Sequence, residues 1–496
     1  MIKFNVPRGT RDFLPEDMAK RDYVEGIIKE VFESYGFQRI QTPTFEEFKL
    51  FATRSGPEIR EGMFTFFSDN EEFALRPELT AAVCRLITTG KLTIPKPYEV
   101  YYIGQCFRYE RPQSGRYREF TQAGLELMGT KSVMADAKVI AIATSVLKKL
   151  GVLEYNLKVG NIGIYRDLLK AQGFDFDKQC MIIGSINKVI DTKEKLEAIS
   201  NKKELTESDK EFLTTKMGEV YKIQTEMKYS GEHEIMPVPA KSLNEKKVGE
   251  LLKTIPKILE ETMKIVLSNK YSLKQEFIEL IFNIADIKGP RKNVEDKAKE
   301  LLKGTAAENA LKELLEVANW LEVYGVKKYH LVLGVARGLD FYTGTVFEFD
   351  IPILDAQKQV CGGGRYDKLV EEFGGPNTPA TGFAFGFDRL VETLDRLGKS
   401  FKKGKADVFV ACVDEGSRRK ATEICQNLRE KGIKCEEDLN FLDFREQIDY
   451  AKKLGIRYQI SIGKKEIENK TVTLLDIKTK NKEEIKLEEI NKKILL

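Results

Sequence analysis

Arg108, Arg337 and Arg389 each stand where the surrounding sequence gives a cation a reason to meet an anion. Arg108 lies in the run 102–110, Tyr-Ile-Gly-Gln-Cys-Phe-Arg-Tyr-Glu, which reads as a strand, and 120–128, Phe-Thr-Gln-Ala-Gly-Leu-Glu-Leu-Met, reads as its partner. Side chains alternate across a strand. Arg108 and Glu110 therefore share one face, Gln122, Gly124 and Glu126 share a face on the partner, and Ile103, Phe107, Ala123, Leu125 and Leu127 want a core. Gly124 leaves a gap where something can lie close. The intervening stretch 111–119, with Gln113, Arg116 and Arg118, is a basic loop too long for a tight hairpin turn. Either strand alone reads as an ordinary solvated face. The arginine-rich loop beside it favours a site for a negatively charged ligand.

Arg337 opens the stretch Arg-Gly-Leu-Asp-Phe-Tyr-Thr-Gly (337–344), a turn between two expected strands. It is a structural arginine, or its flanking glycines shape the backbone around a ligand. The run 362–365, Gly-Gly-Gly-Arg, reads as a turn that lines a nucleotide or simply reverses the chain. Arg389 falls in the first turn of a helix expected over 387–394, where dipole and free amides already favour anions. A cation gains nothing from that dipole, so it points to phosphate or is a plain surface arginine. Together the three could hold a polyphosphate from several directions.

Other elements must position these groups. Val24, Ile27, Ile28, Val31, Phe32 and Tyr35 have the spacing of one helical face, stopped at Gly36. A strand follows over 37–41, ended by Thr42-Pro43. A hairpin is expected over 64–75 around Asp69-Asn70, then a helix over 81–87. From about 160 to 324 lysine and glutamate dominate, and stripes such as Val248, Leu251, Leu252, Ile255, Ile258 and Leu259 read as helix. This is a mainly helical insertion whose Lys/Glu-rich part, 191–219, is a solvated helix pair or a mobile arm. Strands return at 329–334 and 345–350, and 381–386 runs straight into the 387–394 helix. Beyond a basic linker at 398–404, alternating strands and helices form a small α/β domain.

The expected parts are thus a catalytic core at 1–155 and 326–398, a helical insertion at 156–325, and an α/β domain at 405–496. A chain of 496 residues has room for two to four domains, and 32% charged with 42% hydrophobic residues is ordinary for a globular protein. A net charge of +4 permits local nucleic-acid patches without demanding them. No apolar run reaches the ~20 residues of a membrane span, and the first residues lack a signal-peptide pattern. Seven scattered cysteines and two histidines, His233 and His330, argue against disulfides and zinc. The expectation is a cytoplasmic chain with no metal held by Cys or His.

Three segments resemble the signature motifs of class II aminoacyl-tRNA synthetases: the helix and strand ending at Pro43, residues 107–126, and residues 382–389. Within that class, 337–344 and 363–367 (Gly-Gly-Arg-Tyr-Asp) resemble the two stretches peculiar to the histidyl-tRNA synthetase family. The resemblance covers roughly 1–155 and 326–496; the insertion matches in place only. It implies an α+β catalytic core with a mainly antiparallel sheet flanked by helices. It also implies ATP-dependent activation of L-histidine, with Mg²⁺, and transfer to tRNA(His) by a homodimer joined near 31–43. By resemblance Arg108 binds the α-phosphate of ATP, Glu110 the adenine side, and Arg389 with Arg116 the outer phosphates. Arg337, with Arg108, is catalytic, approaching the α-phosphate from the amino-acid side. Glu78, Thr80 and Gln122 hold the α-amino group, Glu126 and Tyr342 the imidazole nitrogens, and Gln113 and Arg118 meet the tRNA acceptor end. Phe341 departs from the tyrosine many relatives carry. The last domain resembles an anticodon-binding domain. The rival readings are a non-catalytic paralogue, serving as regulatory subunit or uncharged-tRNA sensor, and a class II enzyme for another amino acid, which 337–344 contradicts.

Overall fold

A computed structural model describes residues 4–53, 62–109, 117–202, 204–226, 245–334, 341–399, 401 and 406–494. Glu110, Gln113, Arg116 and Arg337 lie outside the described residues. The chain divides into two compact units, Met1–Asp12 with Tyr23–Lys399, and Phe13–Asp22 with Ser400–Leu496.

Strands are numbered in chain order. Among the described residues the larger unit is built on a nine-stranded sheet. Across it run β1 (Gln38–Arg39), β5 (Tyr98–Phe107), β6 (Glu119–Met128), β12 (Ala380–Gly386), β11 (Gln359–Arg365), β10 (Thr345–Asp350), β7 (Asn156–Asn161), β9 (His330–Val332) and β8 (Lys288–Gly289). Only β1 with β5 and β7 with β9 pair parallel; the other neighbours are antiparallel. The 64–75 hairpin forms as β3 (Thr65–Ser68) and β4 (Glu71–Leu75), with β2 (Phe45–Glu47) on the other side of β4. Asp69 and Asn70, at φ 51° and 65°, supply the left-handed turn that a two-residue hairpin requires.

The helix Pro15–Ser34 begins on proline, whose fixed φ suits a first turn. It buries Val24, Ile28, Val31 and Phe32 and ends before Gly36 at φ +89°. The helix Val133–Lys149 is buried along most of its length. No described helix is long and apolar enough to cross a membrane.

Two expectations need correction. The 362–365 glycine run is no turn: it lies inside β11, between β10 and β12. Its glycines mark close backbone approach, because a Cβ at Gly363 would fall 2.3 Å from Gly382 O and one at Gly364 2.4 Å from Thr345 O. Arg365, which closes this strand, is buried and bonded to Asp136 at 3.0 Å. The insertion also does not start at 156, since β7 (Asn156–Asn161) pairs along its length with β10 in the main sheet. The Lys/Glu-rich segment is a helix pair, Phe176–Ser200 and Glu207–Glu226. With the helix Glu245–Tyr271 it buries Leu196, Leu213, Met217, Val220, Val248, Leu251, Ile255 and Ile258.

In the smaller unit β13 (Val408–Cys412) lies between β14 (Cys435–Glu437) and β15 (Tyr458–Ile462), both parallel to it, and β16 (Thr471–Asp476) and β17 (Lys482–Lys486) continue antiparallel. The helices Arg418–Glu430 and Phe444–Lys453 connect the parallel strands. The run of five buried residues in β13 is what a central parallel strand requires.

Candidate active site

A cleft of about 290 Å³ opens over β6, β11 and β12. Arg108 reaches it from the end of β5 and Arg389 from the first turn of the Phe387–Arg396 helix, with Gln122 and Gly362 among its lining. Arg108 is aimed by its surroundings: Nε donates to Pro77 O at 2.9 Å, and the guanidinium lies 5.2 Å from the Phe120 ring centre. Arg389 Nη1 donates to Gln359 O. In these contacts both guanidinium groups donate to backbone carbonyls at the edge of the cleft. The strand ends at Phe107, so Arg108 is carried just past the ladder.

Along the same face of β6, four residues beyond Gln122, stands Glu126, 1% exposed. Its Oε1 accepts from Thr80 Oγ1 at 2.8 Å and Tyr102 OH at 3.0 Å, and Oε2 accepts from Tyr366 OH. Burial pushes this carboxyl up to about 8, against the pull of the Tyr366, Thr80 and Tyr102 hydroxyls. The gap expected at Gly124 is filled by the protein itself, because a Cβ there would sit 2.7 Å from Tyr102 OH and 2.5 Å from Phe383 O. Gly382 is required for the same pocket, since its Cβ would overlap Glu126 Oε2.

Glu78 is buried and turned to the backbone, accepting from the Thr80 and Ala81 N–H groups at the start of the Thr80–Thr88 helix. Burial raises its carboxyl, opposed by those amides and then by Arg108. Tyr342 packs edge-on to Phe341, centroids 5.0 Å apart, and lies against Gly364. Burial and then the Glu126 charge push its phenol upward. Its carbonyl accepts from Arg166 Nε at 2.8 Å. Arg118 sits at the root of the basic loop, stacked 4.1 Å from the Tyr109 ring centre.

The structure thus brings together Arg108, Arg389 and Gln122 in one cleft, and Thr80 with Glu126 beside it. Tyr102 and Tyr366 were missed. Counting back by twos from Arg108 gives Cys106, Gly104 and Tyr102, so the alternation carried the signal for Tyr102. Tyr366 stands in the 363–367 stretch that the resemblance marks, but next to glycines no alternation singles it out.

The family model described as histidyl-tRNA synthetase matches residues 9–234 and 243–390. The chain belongs to the histidyl-tRNA synthetase family. The model described as an anticodon binding domain matches 407–495 of this synthetase chain. It is 35% identical to the histidine–tRNA ligase of Thermococcus kodakarensis, covering 100% of this chain and 99% of that one. It is 36% identical to the ligase of Methanocaldococcus jannaschii, covering 99% of each. The solved histidyl-tRNA synthetase from Nostoc sp. PCC 7120 superposes with TM-score 0.70 at 21% identity, over 100% of this chain and 99% of that one. A Bacillus halodurans structure described as an ATP phosphoribosyltransferase regulatory subunit/histidyl-tRNA synthetase superposes with TM-score 0.65 at 21% identity, over 93% and 98%. At such identity these two establish the fold alone; the family match and the full-length relatives establish the activity, histidine–tRNA ligation.

Proposed function

We propose that this synthetase binds ATP in the Arg108–Arg389 cleft and histidine beside it at Glu126, joins them as histidyl-adenylate, and passes the aminoacyl group to the 3′ end of tRNA(His). One observation carries the reading: two guanidinium groups converge on a cleft whose floor, β6, continues directly to a buried carboxylate ringed by hydroxyls. The arginines suit a polyphosphate. Glu126 and Tyr342 suit the two imidazole nitrogens, with Thr80, Tyr102 and Tyr366 fixing the orientation of the Glu126 carboxyl. Gln122, whose Oε1 lies 3.4 Å from Cys106 Sγ, stands between the two subsites and is assigned to the α-amino group.

Positioning and preformed charge supply most of the rate in such an in-line displacement. Arg108 meets the α-phosphate and Arg389 the outer phosphates; Arg337 is assigned the remaining charge on the α-phosphate by resemblance. Among the described residues no three His, Cys, Asp or Glu side chains gather as a metal cluster. Glu348, a buried β10 carboxylate paired opposite the cleft-lining Gly362 and approached by Gln359 Nε2 at 3.3 Å, would hold a Mg²⁺ ion accompanying the phosphates. The ion would supply further charge neutralisation at those oxygens.

In the smaller unit, Leu439 and Phe441 beyond β14 are 74% and 71% exposed. Arg418 lies 4.2 Å from the Phe441 ring centre, and Phe441 is held at φ +57°. We assign this end of the parallel strands to stacking of unpaired anticodon bases. A homodimer through the edge strand β1 and the helix before it completes the reading.

Pyrophosphate exchange across the amino acids tests the assignment. Exchange should require ATP and Mg²⁺ and respond to histidine alone; equal exchange with a second amino acid would overturn the role of Glu126. A fully active monomer in sedimentation would overturn the dimer.

A further inference from the structure

A polar cluster touches the cleft wall from a segment with no role so far. Arg11 Nη2 donates to Asp388 Oδ1 at 2.6 Å, across 377 residues of sequence. Its guanidinium also lies 3.7 Å from the centre of the Tyr117 ring. Asp388 Oδ2 accepts from Thr121 N at 2.7 Å. Two residues before Arg11, Gly9 O accepts from Arg118 N at 2.8 Å, and Arg118 O accepts from Arg108 N at 2.9 Å. Gly9 has φ +88°, and a Cβ there would fall 2.7 Å from Arg118 Cγ, so the residue must be glycine on both counts. The segment 9–11 thereby joins the root of the basic loop to the first turn of the Phe387–Arg396 helix.

We propose that this segment is a strap that sets the shape and charge of the nucleotide cleft, with Arg11 as its positioning residue for ATP. The proposal rests on the reading that ATP lies between Arg108 and Arg389. Tyr117, Thr121, Asp388 and Arg389 all line that cleft; the β6–β12 pairing ends at Gln122 opposite Gly386, and the strap ties the two segments together beyond it. The charge argument is separate from the shape argument. The Asp388 side chain is 9% exposed, so water screens its negative charge beside the phosphates poorly, and Arg11 sets a cation against it. Arg11 neutralises it edge-on while its face covers Tyr117, which a planar guanidinium can do and a lysine ammonium cannot. Arg11 thus acts on the nucleotide through Asp388 and Tyr117.

The test uses the full-length enzyme in pyrophosphate exchange, varying ATP and histidine separately. R11A should raise KM for ATP about tenfold and leave KM for histidine within about twofold. R11K should recover part of the loss, because it restores charge without the stacked face. R11A/D388N should bind ATP better than R11A, since removing the carboxylate removes the repulsion. If KM for ATP and histidine rise together, or neither moves while Tm falls, the strap only supports the fold and the proposal is overturned. Should R11A fail to fold, R11K and D388N carry the same comparison. R108A separates the two layers. If it leaves KM for ATP unchanged, the cleft is not the nucleotide site; if it raises KM for ATP while R11A does not, the strap alone is wrong.

Discussion

The cleft and the pocket beside it solve opposite electrostatic problems on one strand. At Glu126 a single carboxylate is withdrawn from water and its lone pairs are occupied by hydroxyls from Thr80, Tyr102 and Tyr366. At Arg108 and Arg389 the cations face an open cleft, and their guanidinium groups donate to the Pro77 and Gln359 carbonyls. The first arrangement suits selection: three hydroxyls fix the carboxyl in one orientation, and only a ligand donor aligned with that orientation gains a bond from it. The second suits attraction and positioning, because guanidinium groups facing a cleft can pair with phosphate oxygens there. On the proposed assignment, recognition of the small substrate and activation of the nucleotide are separated over four residues of β6.

This contrast can be broken by experiment. Arg108→Ala should slow adenylate formation by about 10²–10³, the usual loss of ~3–4 kcal/mol for a positioned charge donor, with histidine binding little changed; a near wild-type exchange rate would make Arg108 structural. Glu126→Gln should weaken histidine binding by ~1–3 kcal/mol, the cost of mismatching a buried hydrogen-bonding group. If that variant harms ATP binding equally, the carboxylate shapes the site rather than reading imidazole. Phe441→Ala should leave exchange intact and raise KM for tRNA through loss of ~1–3 kcal/mol of base stacking. An unchanged aminoacylation rate would move anticodon reading elsewhere.

The smallest effect is a pH slope. The Glu126 carboxyl titrates near 4.5 when unfolded and is raised to about 8 in the fold. Below 4.5 both states hold the proton and stability is unaffected. As pH rises towards 8 the unfolded chain loses it first, so the ligand-free protein loses about 1.4 kcal/mol per pH unit, fading above 8. Denaturant titrations at pH 6 and 7 should show this decline in wild type and not in Glu126→Gln. A matching slope in both would place the shift elsewhere.

The β5–β6 hairpin was legible because its polar and apolar residues alternate with period two, and the ladder registers Tyr102 opposite Gly124 and Gly104 opposite Gln122. The glycine-rich β11 was not legible by that rule. Glycine supplies no side chain to alternate, and only neighbouring backbones at 2.3–2.4 Å from a would-be Cβ explain why the strand demands it. β7 was hidden for a different reason: its six residues adjoin the helical texture that follows, and its partner β10 lies far along the chain. Arg11 gave no local signal, since its partner Asp388 is remote. Local periodicity exposes faces, while groups that meet only through long-range packing leave no mark on it.

The large excursion between β7 and β9 begins and ends on neighbouring strands, with Lys158 beside His330. Its first turn is anchored, by Asn161 Nδ2 to Ala310 O at 3.0 Å and by Arg166 to the backbone of Tyr342. Beyond those anchors the three long helices have a core of their own. Lengthening a closed excursion is cheap, about 0.6 kcal/mol per doubling. Evolution can therefore extend or rewrite the middle of this chain while the anchored stub keeps Tyr342 in place, so new recognition can be added without retuning the chemistry.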